Sequence, residues 1–460
     1  MRTILTTIGL LAFLTGNAQD SLGVRALFHW HDSTLPASLF HNNTYNEVWG
    51  YAANGEEYAI IGSTMGAHIF RITEVDQGLA EQVAFVPGAS QGIGIVHRDY
   101  KTLSHYLYAV CDEGFSTLQV IDLQYLPDSV VVVYDDDALL SRAHNIYIDT
   151  ANARMYSCGG SSSFAVYSLQ DPENPTLLAK PQFDTPWWSS QVGYVHDAFV
   201  RDNIAYTNDE NAMHIIDFSV PLSPVLLGSI SAYPGAGYNH SGWAHPDGVH
   251  YALCDETFGS PVKLMDVSDP TDIEVLDTFG SEVDSLSIVH NVIWTGDLLH
   301  AAYYHDGYWF WELQADNTMA LRGFYDTSTE NHLPNYRGAW GVHPLLPSGV
   351  VLVSDMQTGL WVLDISAALA TNELPAPREA KLAIHPNPAS HTVHIVPRTM
   401  GSGPMPVRIL DIHGREVMRS TLGMTGGDLD IAHLDAGTYL VLVTSPQGTS
   451  VNPLVITNAP

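Results

Sequence analysis

Apolar residues along this chain fall in short contiguous or alternating runs, punctuated by Gly, Pro, Asn and Asp. Alternation of this kind predicts strands; an amphipathic helix would place apolar residues at i, i+3, i+4 and i+7. One run returns seven times: His68–Ile72, Leu118–Leu123, Phe164–Leu169, Met213–Phe218, Val262–Val267, Tyr308–Leu313 and Leu360–Ile365. Aligning Arg71, Asp122, Ser168, Asp217, Asp266, Glu312 and Asp364 gives steps of 46 to 52 residues. A period of about 40–50 residues built of strands predicts a β-propeller, and the absence of helical periodicity excludes an α-solenoid.

Each unit resolves into four strands. In the fourth they are expected at Val195–Val200, Ile204–Asn208, Met213–Phe218 and Pro224–Ile230, joined by turns at Arg201-Asp202-Asn203 and Asp209-Glu210-Asn211. The seventh unit supplies only three, near Gly338–Val342, Val350–Ser354 and Leu360–Ile365. Val24–Trp30 is expected to complete it, leaving no open sheet edge. The fold class is therefore all-β: a seven-bladed β-propeller with an N-terminal strand closing the last blade, followed by a small β-sandwich.

The repeats resemble the LVIVD-repeat family, in particular the secreted proteins called choice-of-anchor B. The matching segments are Leu118–Leu123, Met213–Phe218 followed by Pro221–Pro224, and Val262–Val267 followed by Ser268-Asp269-Pro270. The resemblance covers roughly residues 22 to 368. It implies a propeller outside the cell joined to an anchoring signal, and no particular reaction.

The ends of the chain have their own signatures. Met1-Arg2, an apolar stretch from Ile4 to Leu14 and small residues before Ala18 predict a signal peptide over 1–18. That stretch is too short to span a bilayer, and no later segment is long enough, so the mature protein is expected to be soluble. The propeller is assigned to 19–370 and a Pro-rich linker to 371–380. Residues 381–460 then form a strand-rich module. It opens on His385-Pro386-Asn387-Pro388, turns a hairpin at His413-Gly414 within Val407–Val417, and continues with Leu434–Val443. These blocks resemble the C-terminal sorting domain of the type IX secretion system. The resemblance implies Sec export, passage through the outer membrane, and release or attachment at the cell surface, with the secretion machinery as partner. A carbohydrate-binding sandwich is the alternative.

Composition narrows the partners. Fifty Asp and Glu stand against 18 Lys and Arg, a formal charge of −32. Such a field repels phosphate backbones and anionic membranes, so nucleic acid is not expected as a partner. Cys111, Cys158 and Cys254 follow strand-like runs in separate units, and an odd count leaves at least one thiol unpaired. Acidic neighbours such as Asp112-Glu113 and Asp255-Glu256 would raise a thiol pKa and argue against a nucleophile.

Candidate chemistry lies at the strand starts. His97, His144, His196, His240 and His290 open the first strand of five successive units, with Asn46 and Arg337 in the same place in units one and seven. In a propeller these positions face the channel at one end. An acidic set at the turn between strands two and three falls at that end too: Asp112, Glu113, Asp209, Glu210, Asp255, Glu256, His305, Asp306 and Asp355. Neutral imidazoles with carboxylates behind them could hold a zinc, manganese, iron or copper ion. Histidines repeated by duplication could equally be structural, donating to a carbonyl of the next blade. Trp187, Trp188, Tyr238, Trp243 and Tyr304 are candidates for stacking on a glycan or protein segment, or for blade packing. No GxSxG, P-loop, HExxH or dinucleotide fingerprint is present. Two readings follow: an exported binding module for an unidentified extracellular protein or glycan, or a metal-dependent hydrolase or lyase working in the channel.

Overall fold

The computed structural model describes residues 20–328, 332–370, 382–397, 405–411, 415–423, 426–445 and 448–457. The expected signal peptide, the linker and the turn at His413-Gly414 lie outside the described residues.

The described residues between 20 and 370 form seven antiparallel sheets, six of four strands and one of five. The fourth sheet has strands Asp197–Arg201, Ile204–Asn208, Met213–Asp217 and Val225–Ile230, within two residues of expectation. The seventh takes Ala339–His343, Val351–Asp355 and Gly359–Asp364 from one end of the chain and Arg25–Trp30 from the other. Arg25 pairs with Asp364 and Trp30 with Leu360. Arg25–Trp30 and Val225–Ile230 have the same pattern of half-buried and exposed positions, which marks both as outer strands. Ser21–Leu22 adds a short fifth strand to the sixth sheet.

Local geometry repeats as the sequence does. In all seven sheets the register slips between the third and fourth strands, for example between Ile215 and Ile216 and between Leu264 and Met265. A bulge there increases strand twist and swings the outer strand away from the plane of the inner three. The three inner strands are buried almost throughout, and aliphatic and aromatic side chains fill the spaces between neighbouring sheets. First strands pack against one another in succession, and Ala339–His343 packs against Tyr45–Ala53. All three cysteines are buried and free.

The C-terminal module has two sheets. One joins Leu382–His385, Thr392–Pro397 and Gly427–Asp430; the other joins Glu416–Leu422, Met405–Asp411, Gly437–Ser445 and Gly448–Ile456. Among the described residues it has seven strands. Its own core includes Val393, Ile395, Val407, Ile409, Leu429, Val441 and Leu454.

Candidate functional site

His97, His144, His196 and His290 immediately precede the first strands of their sheets, and His240 sits in a register slip between Asn239 and Ser241. A repeated backbone bond fixes three of them. The N–H of His144 donates to Cys158 O, that of His196 to Asn208 O and that of His290 to Ala302 O, at 2.7–2.9 Å. Each acceptor ends the second strand, so pairing of the inner strands sets where each imidazole emerges.

The five rings follow one another at centroid distances of 4.8, 4.3, 4.4 and 4.7 Å. Trp340 closes the circle, 4.2 Å from His290 and 5.3 Å from His97. Trp340, not Arg337, is the seventh-sheet counterpart. It lies in a slip between Ala339 and Gly341, and Ala339 pairs with Asp355 as Asn239 pairs with Asp255. Asn46 lies in the slip between Tyr45 and Val48 and donates to Val96 O at 3.1 Å, and it is not among the residues that line the chamber. The rings bound a cavity of about 100 Å³ that His41, Glu256, Tyr304 and Tyr336 also line.

On three of the five histidines Nδ1 has a partner. His97 Nδ1 meets Glu113 Oε1 at 2.5 Å, His144 Nδ1 meets Asp112 Oδ2 at 3.1 Å, and His290 Nδ1 meets the Trp340 carbonyl at 2.6 Å. His196 lies against the backbone of His240, and His240 against that of His290, but their buried Nδ1 atoms fall short of a hydrogen bond. In the neutral rings of His97, His144 and His290, a proton on Nδ1 facing these acceptors leaves the lone pair on Nε2. Among the described residues no group donates a hydrogen bond to any of the five Nε2 atoms. Glu256 adds a carboxylate, 3.9 Å from His240 Nε2, and accepts a hydrogen bond from Tyr304 Oη.

Metal ligation needs deprotonated ligands, and the groups of the chamber divide on this. Burial holds His196 and His240 well below the usual imidazole range and His290 down to about 3, and neighbouring imidazoles add to this. Burial also pulls on His144, but the hydrogen bond and charge of Asp112 outweigh it and leave that pKa raised. Burial lifts the Glu256 carboxyl to about 7.

The circle is too wide for one ion at its centre. Six rings spaced 4.2–5.3 Å, taken as a planar hexagon, put each centroid the same distance from the middle. Each ring nitrogen would then stand roughly 3–4 Å from the centre, against a bond of about 2.0–2.1 Å. The geometry instead offers two off-centre sets whose ligand atoms lie within 4.8 Å of one another: His97, Asp112 and His144, and His240, Glu256 and His290.

The rest of the expected acidic set is engaged elsewhere. Asp209 binds His214 Nε2 at 3.0 Å and caps its own turn, and Glu210 accepts from Tyr238 Oη at 2.9 Å, one residue removed from the ring. Asp255 is fully buried against Lys263, and Asp355 holds the turn at Gln357 and Thr358. His305 pairs with Asn335, and Asp306 with Ser281 and His332. Asp209 closes its hairpin and Asp255 meets Lys263 on the third strand, whereas of the expected acids, among the described residues, Asp112, Glu113 and Glu256 reach the imidazoles.

The aromatic candidates divide likewise. Tyr304 and Tyr238 stand 5.3 Å from His290 and 5.4 Å from His196. Trp188 is fully buried, bonded to Gly193 O and packed on Phe164, with half-buried Trp187 beside it. Trp243 belongs to a second chamber further along the first strands, of about 40 Å³, shared with Trp49, Tyr147, Glu47, Lys101 and Asp197. There burial lifts Glu47 to about 8 and Asp197 to about 6, while Lys101 Nζ binds Asp99 at 2.6 Å. The sequence reading overlooked this layer. Its signal was a polar residue one or two places after each histidine: Asp99, Asn145, Asp197, Ser241 and Asn291.

No curated protein matches the chain. Among solved structures, the extracellular domain of BT3049 from B. thetaiotaomicron is 12% identical, with 94% of this chain and 57% of that one covered at a TM-score of 0.53. The Cps50 (Swd1) beta-propeller domain of Myceliophteria thermophila is also 12% identical, covering 70% and 96% at 0.49. Among the described residues no helix is long and apolar enough to cross a membrane. Residues 383–457 match the model of the secretion system C-terminal sorting domain, so the chain carries a type IX export signal and is delivered to the cell surface or extracellular space.

Proposed function

We propose that this chain is an exported, closed seven-bladed β-propeller of LVIVD type that works outside the cell as a binding module. Its ligand site is the histidine-ringed chamber, and its ligand there is a divalent transition metal. Residues 1–18 are the signal peptide, 19–370 the propeller with Arg25–Trp30 closing the last blade, 371–380 the linker and 381–460 the sorting domain.

One observation carries the metal reading. Five imidazoles, three of them with Nδ1 held by other groups, face one chamber in which no described residue donates to their Nε2 atoms, and Glu256 brings a carboxyl to it. Buried acceptors need a partner, and a Lewis acid supplies it. Asp112 and Glu113 orient His144 and His97 as carboxylates do behind metal-bound histidines. A second reading, a metal-dependent hydrolase or lyase, draws on Glu256. A carboxyl lifted to about 7 beside a metal could take and return a proton at neutral pH.

The test is metal content by mass spectrometry on the mature protein, purified without added metal or affinity-tag histidines. Near-stoichiometric metal that falls on His240→Ala/His290→Ala or His97→Ala/His144→Ala supports the site. Folded protein that is metal-free and takes up none in the chamber on titration overturns it.

A further inference from the structure

A second cluster of imidazole and carboxylate stands away from the ring, in the turn after the first strand of the fifth sheet. The turn His245-Pro246-Asp247-Gly248-Val249-His250 links Asn239–Ala244 to His250–Asp255. The ring histidines sit at or before the starts of these first strands; this turn follows the other end. His245 N–H donates to His250 O at 2.8 Å, so the two histidines face each other across the mouth of the turn. Both are buried, while Asp247 between them is exposed.

The turn is rigid. Asp247 Oδ1 accepts the amides of Val249 and His250 at 2.8 and 3.1 Å, and Gly248 has φ +78, where other residues are strained. That leaves Asp247 Oδ2, which lies 3.0 Å from His245 Nδ1 and 2.7 Å from His250 Nδ1. The other ring nitrogens face acceptors from turns of the sixth sheet. Asp297 Oδ1 is 3.3 Å from His245 Nε2, and Asn317 Oδ1 is 3.3 Å from His250 Nε2.

On His245 this leaves an unmet demand. His245 Nε2 is buried without a hydrogen bond, although Asp297 Oδ1 lies 3.3 Å away, and Nδ1 accepts from the Asp247 amide at 3.2 Å, which sets its lone pair against Asp247 Oδ2. A cation between Nδ1 and Oδ2 removes that repulsion. Outer carboxylate or amide oxygens fixing Nε2–H while Nδ1 binds is the usual support for a metal-bound histidine.

We infer that His245 Nδ1, Asp247 Oδ2 and His250 Nδ1 form a second divalent metal site, for a borderline ion such as zinc, cobalt or nickel. The three ligand atoms lie within 4.8 Å of one another. A tetrahedral ion with bonds of about 2.0–2.1 Å separates its ligands by about 3.3 Å, so the two short pairs open by about half an ångström. The exposed Asp247 carboxylate can swing by that amount, and its exposed side leaves the fourth position to water. An ion here ties the turn of the fifth sheet to Asp297 and Asn317 of the sixth.

The site is tested with Co²⁺ alone, titrated into the metal-stripped mature protein and read by its visible ligand-field absorption and by ions bound per chain. Asp247→Asn keeps the oxygen that holds the turn and should lose one equivalent relative to the parent. His250→Gln should lose the same equivalent, and His250→Cys should retain it with the added thiolate-to-cobalt charge-transfer band. Near-ultraviolet circular dichroism of each variant must match the parent. Equal ion counts in the parent and Asp247→Asn overturn the inference, as does a parent that binds no ion. Loss on Asp247→Asn with no change on His240→Ala/His290→Ala sustains this site and counts against the ring.

Discussion

Glu256 shows how one side chain registers the character of the chamber. Burial lifts its carboxyl from 4.5 to about 7. A carboxyl raised on folding holds its proton in the native state where the unfolded chain has released it. Stability therefore falls as pH rises from about 4.5 to 7. In metal-free protein Glu256→Gln should remove that slope, so urea midpoints of parent and variant diverge in the variant's favour by of order 3 kcal/mol between pH 4.5 and 7. A constant gap across that range would mean the carboxylate is solvated. At this scale the sequence was readable only in part. The histidines declared themselves because duplication kept them in register. Trp340 did not, because aligning on histidine pointed to Arg337, three residues early. Pairing of Ala339 with Asp355, parallel to Asn239 with Asp255, was the better guide. The fate of Asp255 could not be read at all, since it depends on Lys263 from the next strand.

Among the elements, Arg25–Trp30 bears most on the fold. It covers the edge of Gly359–Asp364, and Trp30 also packs on Phe70 of the first sheet, with ring centroids 4.8 Å apart. Trp30→Ala should lower unfolding stability by about 2–4 kcal/mol in urea. Deletion through Trp30 should go further, leaving a bare edge that aggregates, read by size-exclusion chromatography. A truncated chain that stays monomeric with an unchanged midpoint would show that the strand is dispensable. Strands were legible to within a residue or two because inner strands are apolar on both faces and the turns carry Asn, Asp and Gly. The bulge before every outer strand was not legible, because it changes pairing without changing which residues are apolar.

For the molecule as a whole, residues 383–457 set its destination. Deleting them should keep the protein inside the cell envelope, and fusing them to an inert exported reporter should carry that reporter to the surface or medium, both read by fractionation. Export of the truncated chain would assign the signal elsewhere. The repeat of four-stranded sheets was readable from the period, whereas the contents of the chamber depended on which side chains separate sheets bring together. The pairing of Arg25 with Asp364 spans 339 residues of chain. Loop closure over that length costs about 3 kcal/mol more than over a ten-residue hairpin. The four main strands of six sheets are neighbours in the chain, but the seventh must wait for both ends of the domain. Assembly of that sheet is therefore the natural late step of folding, and a chain held by either end during translocation cannot take it. A circular permutant opened between the third and fourth sheets, with the old ends joined, would turn this distant pairing into a local one and should refold faster at similar stability.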